Sequence, residues 1–187
     1  MRKRPRADAV RFRRLAFNTA ASKRWLVFDI DDCDAMDAPR EACLPMPTLA
    51  IVNRRDGRGH LAYRLRSPVA FSDHAREAPR RFMSDVERDM TLVLGADRAY
   101  TGPLAKNPLH RDFRTFATGR DFELRELAAH VDRDAARVLR ARVRSDWVAT
   151  APCLMTSASM PIARCSNSNA ATIFVGFCNA LWRSLTI

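Results

Sequence analysis

Lysine is almost missing from this 187-residue chain: of its 32 basic residues only Lys3, Lys23 and Lys106 are lysines, and the rest are arginine. Glycine is scarce, with six residues, and the five cysteines (Cys33, Cys43, Cys153, Cys165, Cys178) form no C-x-x-C pair. An odd cysteine count without a secretory signal argues against a disulfide scaffold and for a reducing, cytoplasmic setting. Long apolar runs are also lacking. The longest, Ala170 to Trp182, is shorter than a bilayer span and contains Asn179, and the basic N-terminus has no apolar stretch of the kind a signal peptide needs. No membrane insertion is expected. Acids vanish entirely after Asp146, in a segment that holds three of the five cysteines and only Arg164 and Arg183 as basic residues.

What the chain has is positive charge, a formal +11, much of it at one end. Residues 1–24 carry nine basic side chains (Arg2, Lys3, Arg4, Arg6, Arg11, Arg13, Arg14, Lys23, Arg24) against the single acid Asp8. Arginine's planar fork binds phosphate oxygens in pairs, although a GC-rich coding sequence alone also enriches arginine. A block of this kind stays solvated and attracts a polyanion without reading its sequence. Residues 1–22 are therefore read as a basic, flexible arm, with Arg2, Lys3, Arg4, Arg6, Arg11, Arg13 and Arg14 as candidate DNA contacts.

The length suits one domain with a real core. Trp25 to Ile30 is an apolar, β-prone run ending in acids, and Thr48 to Asn53 is a second one. Asp56-Gly57 then separates it from a third, His60 to Leu65, and Asp-Gly between strand-like runs signals a hairpin. A helix capped at Ser72 or Asp73 is expected to run to about Leu94, with Phe82, Val86, Met90 and Val93 at helical spacing and Gly95 as its stop. Turns fill residues 95–119, and helical period returns from Phe122 to about Val143. The order β, β, β, α, loop, α predicts an α+β fold, a small, mainly antiparallel sheet covered by helices mainly on one face. The scheme is an arm (1–22), a core domain (23–146) and an atypical tail (147–187). Two readings of the tail stay open: a polar and apolar segment packed on the domain, or a frameshifted end.

Alternation along a strand places Leu26, Phe28 and Ile30 on one face and Asp29 and Asp31 on the other. Two carboxylates two residues apart are about 6.6 Å apart along a strand. From there both reach a pair of Mg²⁺ or Mn²⁺ ions spaced about 3.5–4 Å, and hard oxygen ligands suit those ions. On the third strand Leu61, Tyr63 and Leu65 share the apolar face, leaving His60, Ala62 and Arg64 opposite. If the apolar faces align, His60 lies on the carboxylates' side, where a histidine and a basic residue can meet a triphosphate. Taken singly, an acid pair at a strand end is a common turn device and a histidine beside a glycine-rich turn is a common surface residue.

The ordered series is more specific. Asp29-Ile30-Asp31, then Val52-Asn53 with Gly57-Arg58-Gly59-His60-Leu61-Ala62-Tyr63-Arg64-Leu65, then Gly95-Ala96-Asp97-Arg98-Ala99-Tyr100-Thr101-Gly102 and Lys106-Asn107-Pro108-Leu109-His110 resemble the replicase family of plasmid replication proteins over residues 23–131. Those proteins are similar to the archaeo-eukaryotic primases. The resemblance implies that Asp29 and Asp31, with Asp97 as third acid, hold the catalytic Mg²⁺ or Mn²⁺, and that His60, beside Arg64, meets the nucleotide phosphates. Lys106 and Asn107 are placed near phosphate or template. It also implies a primer synthesised at a plasmid origin from nucleoside triphosphates, with a host DNA polymerase as a further candidate partner. The chain departs from the family in having one histidine where the hairpin often carries two, and in a tail unlike the helical region expected to bind the origin.

Other readings compete. A non-enzymatic nucleic-acid binder would grip phosphate through the arm and Arg133, Arg137, Arg140, Arg142 and Arg144, with a structural acid pair. An inactive fragment is a further reading. A haloacid-dehalogenase-type phosphatase also uses Asp-x-Asp after a buried strand, but wants Thr or Val where Cys33 stands, and a parallel sheet.

Overall fold

The computed structural model describes residues 5–100 and 103–131, apart from the side chain of Arg6. The second half of the expected Phe122–Val143 helix, the tail from 147, the arginines Arg133 to Arg144, and Arg2, Lys3 and Arg4 lie outside the described residues.

In chain order the elements are α1 (Arg6–Ala9), β1 (Arg14–Ala16), β2 (Ser22–Ile30), α2 (Ala38–Glu41), β3 (Leu49–Asn53), β4 (Gly59–Ala70), α3 (Glu77–Val93), β5 (Leu104–Lys106), β6 (Phe113–Ala117), β7 (Asp121–Phe122) and α4 (Leu124–His130). The main sheet runs β2-β4-β3-β6 with antiparallel neighbours, and β7 adds in parallel beside Arg64 and Leu65 of β4, beyond the stretch that pairs with β3. The fold is thus α+β with a mainly antiparallel sheet. A second, two-stranded antiparallel ribbon joins β1 to β5.

The alternation of apolar residues explains how the sheet is packed. Leu26, Phe28, Ile30, Ala50, Leu61, Tyr63 and Leu65 face Met83, Val86 and Met90 of α3 and Leu127 of α4 in one core. The other face is not left to solvent. Trp25, Leu49, Ile51, Ala62 and Phe113 pack there with Phe17 and Ala105, so the β1–β5 side of the chain covers it. Each large apolar side chain buried in this way contributes about 1.5–3 kcal/mol relative to exposure. The helices do cover one face, but the second face has its own, smaller cover.

Several boundaries differ from the sequence expectation for identifiable reasons. The α3 helix begins at Glu77, not at residue 73, and Pro79 accounts for this. Proline has no N–H, and its ring clashes with the carbonyl four residues back, so it is tolerated only in a first turn. Gly95 ends the helix at φ +62° as expected. Strand β4 runs five residues past Leu65, because Val69 and Ala70 pair with Lys23 and Ser22 across an irregularity that accommodates Pro68. At the β3–β4 turn, Gly57 has φ +74°, and a Cβ there would stand 1.7 Å from the Cys33 carbonyl oxygen. Only glycine fits.

The segment read as a flexible arm carries structure from residue 5 onward. Arg14, Leu15 and Ala16 pair with Lys106, Ala105 and Leu104, and Phe17 is buried in the second core.

Candidate active site

The end of β2 pairs with the start of β4, just after the Asp56-Gly57 turn that joins β3 to β4, and Asp29 and His60 are direct cross-strand partners. They lie on the face opposite the helices. His60 Nε2 stands 3.1 Å from Asp29 Oδ1, close enough for an ion contact but short of regular hydrogen-bond geometry. The His60 side chain is 1% exposed and that of Asp29 21%, so a buried imidazole backs a carboxylate that solvent still reaches.

Lys106 completes the group from β5. Its Nζ lies 3.0 Å from the same Asp29 Oδ1, and its backbone N–H donates to His60 Nδ1 at 3.2 Å. Because Nδ1 accepts, the neutral ring carries its proton on Nε2, towards Asp29. Burial holds the His60 pKa below its ordinary value and the Lys106 charge adds to this, against the pull of Asp29. His60 is therefore neutral at neutral pH. Burial alone would raise the Asp29 carboxyl, but the contacts with His60 and Lys106 outweigh it and bring the pKa from 3.8 to about 2.

Two further groups close around this centre. The Asp97 N–H donates to the Asp29 carbonyl at 2.9 Å, which docks the loop after α3 onto the end of β2. Three residues on, the Tyr100 ring meets the His60 ring edge-on at 5.1 Å. Burial and the nearby Asp29 charge push the Tyr100 phenol up to about 12, and its hydroxyl donates to the Leu104 carbonyl at 2.9 Å. Tyr100 lies within the motif series, but only the folded loop shows that it touches His60.

The remaining expected site residues are placed variously. Asp31 is exposed, one residue past the end of β2. Asp97 is also exposed, and its carboxylate accepts from the Ala99 N–H at 2.8 Å. Arg64 is not at this centre: it pairs across from Trp25, about 13 Å along the strand from His60, where its guanidinium binds Asp121 and lies over the Trp25 ring. Asn107 is fully buried, and its amide is taken up by the fold. It donates to the carbonyls of Phe12 at 2.7 Å, Ala9 at 3.2 Å and Val10 at 3.4 Å, and its Oδ1 accepts from the Leu109 N–H at 3.0 Å. Nothing of that side chain is left for phosphate or template. Arg11, Arg13 and Arg14 are exposed, with Arg13 paired to Asp112 at 3.2 Å.

Among the described residues no three His, Cys, Asp or Glu side chains gather to hold a metal ion. Asp29 and Asp31 remain as hard oxygen donors, and the Asp29 contacts all fall on Oδ1. Mg²⁺ is ordinarily held by one or two carboxylates together with substrate phosphates, so two carboxylates fit its chemistry.

A model of the Replicase family matches residues 1–131. The chain belongs to the Replicase family. The match takes in residues 1–22, so the N-terminal segment lies within the family's extent. Among solved structures, this Replicase-family chain is similar to the AEP domain of the Cyanophage S-2L primase-polymerase, at 15% identity and a TM-score of 0.47. That alignment covers 59% of this chain and 61% of the phage chain. A comparison with curated proteins gives no match. No helix among the described residues is long and apolar enough to cross a membrane.

Proposed function

We propose that this Replicase-family protein is a primase-type nucleotidyltransferase that starts plasmid DNA replication by synthesising a primer at the origin, in the cytoplasm. In the reaction a nucleotide 3′-oxygen bonds to the α-phosphorus of the next nucleoside triphosphate. The α–β phosphoanhydride breaks, pyrophosphate leaves, and the hydroxyl proton passes to water. The observation that carries this reading is the convergence of Asp29, His60 and Lys106 from three strands on one partly open carboxylate.

Asp29 and Asp31 would hold Mg²⁺ or Mn²⁺, which when bound supplies charge neutralisation at the phosphates. The protein's own groups do the positioning. His60 is held by the Lys106 backbone with its Nε2–H directed towards Asp29, and a neutral, buried donor stabilises charge at this centre without any reorganisation during transfer. Lys106 brings a point charge to the same spot, held on Asp29. Tyr100 packs against the imidazole ring and limits its rotation.

A second reading, a non-enzymatic nucleic-acid binder, is favoured by one observation: Asp29 is already neutralised internally by Lys106. The two readings part in one experiment. The primase incorporates labelled nucleotides on single-stranded template only with Mg²⁺ or Mn²⁺, and Asp29→Ala and Asp31→Ala abolish incorporation while largely keeping DNA binding. Full incorporation by either variant sinks the mechanism. Salt-sensitive DNA binding with no incorporation under any metal supports the binder.

A further inference from the structure

The β1–β5 ribbon sets two cations side by side. Arg14 and Lys106 are direct antiparallel partners, so their side chains share one face of the ribbon. The pair is of the narrow kind. The Lys106 N–H turns away to His60, while the Asn107 N–H crosses to the Arg13 carbonyl at 2.8 Å. This is the pattern of a non-hydrogen-bonded pair, whose Cα atoms approach to about 4.5 Å. Like charges placed directly opposite each other are destabilising. Asp29 compensates Lys106. Arg14 is exposed and, among the described residues, forms no ion pair, unlike its neighbour Arg13.

One uncompensated charge thus stands beside the site: the free Arg14 guanidinium next to Lys106, which together with His60 already serves Asp29. It suits an anion with several oxygens. We propose that Arg14 binds the phosphates of the incoming nucleotide together with Lys106, which makes residues 5–16 a wall of the catalytic pocket and not a separate DNA-gripping arm. This rests on the nucleotide-using reading of the site. Arginine's fork takes two phosphate oxygens at once, whereas Lys106 serves as a point charge, so the two are complementary ligands for a polyphosphate. The Arg14 charge is felt at both His60 and Tyr100, as expected of a group on the pocket rim. Asn107 delivers this wall, since its amide gathers the carbonyls of Ala9, Val10 and Phe12 one residue after Lys106.

The test is titration of the full chain with inorganic tripolyphosphate in the presence of chelator, so that no metal or nucleotidyl transfer is involved. Arg14→Ala is expected to weaken binding about tenfold, the size of one lost charge-assisted contact, and Arg14→Lys to lose less. Arg125→Ala, a substitution of an exposed arginine on α4, is expected to leave binding unchanged, and single-stranded DNA affinity should fall equally in Arg14→Ala and Arg125→Ala. Asn107→Ala keeps Arg14 but loosens the segment, and is expected to lose tripolyphosphate affinity as Arg14→Ala does. Equal tripolyphosphate affinity in Arg14→Ala and Arg125→Ala overturns the proposal, as does a loss confined to DNA. Undiminished affinity in Asn107→Ala overturns the delivery by the ribbon. If tripolyphosphate binding depends on Arg14 but no nucleotide is ever incorporated, the primase reading fails while the phosphate site stands.

Discussion

Replacing Asn107 by alanine removes one buried amide and releases a long stretch of chain. Its carboxamide donates to three carbonyls in residues 9–12 and accepts from the Leu109 N–H, with the best contacts at 2.7 and 3.0 Å. A typical hydrogen bond contributes about 0.5–1.5 kcal/mol net, and stranding a buried partner costs about 1–3 kcal/mol. Water reaches the freed carbonyls once the segment lifts, so the loss is about 2 kcal/mol rather than the sum over all four contacts. A change of that size raises the population of the opened segment about 30-fold. Trypsin reads this directly, because Arg11, Arg13 and Arg14 lie in the released stretch. Cleavage there should accelerate in Asn107→Ala, while cleavage at Arg81 on α3 stays unchanged. Asn107→Asp should be as damaging or worse, since it turns a carboxylate towards three carbonyl oxygens. Wild-type cleavage rates at Arg11 to Arg14 in both variants would refute the assignment of Asn107 as the clamp.

Three other outcomes are expected. The Asp29 carboxyl, depressed from 3.8 to about 2, gives stability that is complete above pH 4 to 5 and lost as pH falls through 2; after allowance for solvent screening it amounts to roughly 1–2 kcal/mol. The deficit of Asp29→Asn in denaturant unfolding should therefore shrink between about pH 4 and pH 2, and a deficit constant over that range contradicts the ion pairing. Gly57→Ala places a Cβ against the Cys33 carbonyl in a left-handed turn, which should cost more than about 2 kcal/mol and lower the melting temperature by at least ~4 °C. Thr48 is buried, donating to the Arg120 carbonyl at 2.6 Å and accepting from the Arg64 N–H at 2.8 Å. Thr48→Val keeps the shape but strands both partners, at about 2 kcal/mol, and amide exchange at Arg64 should quicken; unchanged exchange there argues that the hydroxyl is dispensable.

The strands that form the sheet's centre are legible because their information is local. Period-two alternation marks β2 and β4, and one Asp-Gly turn fixes the β3–β4 register, so Asp29 and His60 share a face once the apolar faces are aligned; that β2 pairs with β4 and sets the two directly opposite is visible only in the fold. Strands β1, β5 and β7, of three, three and two residues, are too short to show a period. Strand β6 has five residues in which Phe113 and Phe116 fall on opposite faces, so it shows no simple alternation. The role of Asn107 is illegible for a different reason. Its side chain satisfies backbone groups 95 to 98 positions away, which no window of sequence connects. Arg64 illustrates the converse, since alternation put it on the right face but said nothing of Asp121, which claims it.

The ribbon also sets an order in time. Residues 5–16 leave the ribosome well before their strand partner and their clamp, which lie 88 to 98 positions later. Closing so long a loop is entropically costly, and three paired residues return little before the main sheet exists. The segment is thus synthesised before its partners and docks last. Substitutions in residues 9–16 should speed unfolding and leave the refolding rate alone, a pattern that stopped-flow chevrons record. The β2–β4–β3 platform can form around Asp29 and His60 while the pocket is still open on one side, and the cation pair assembles only when residues 5–16 return to meet β5.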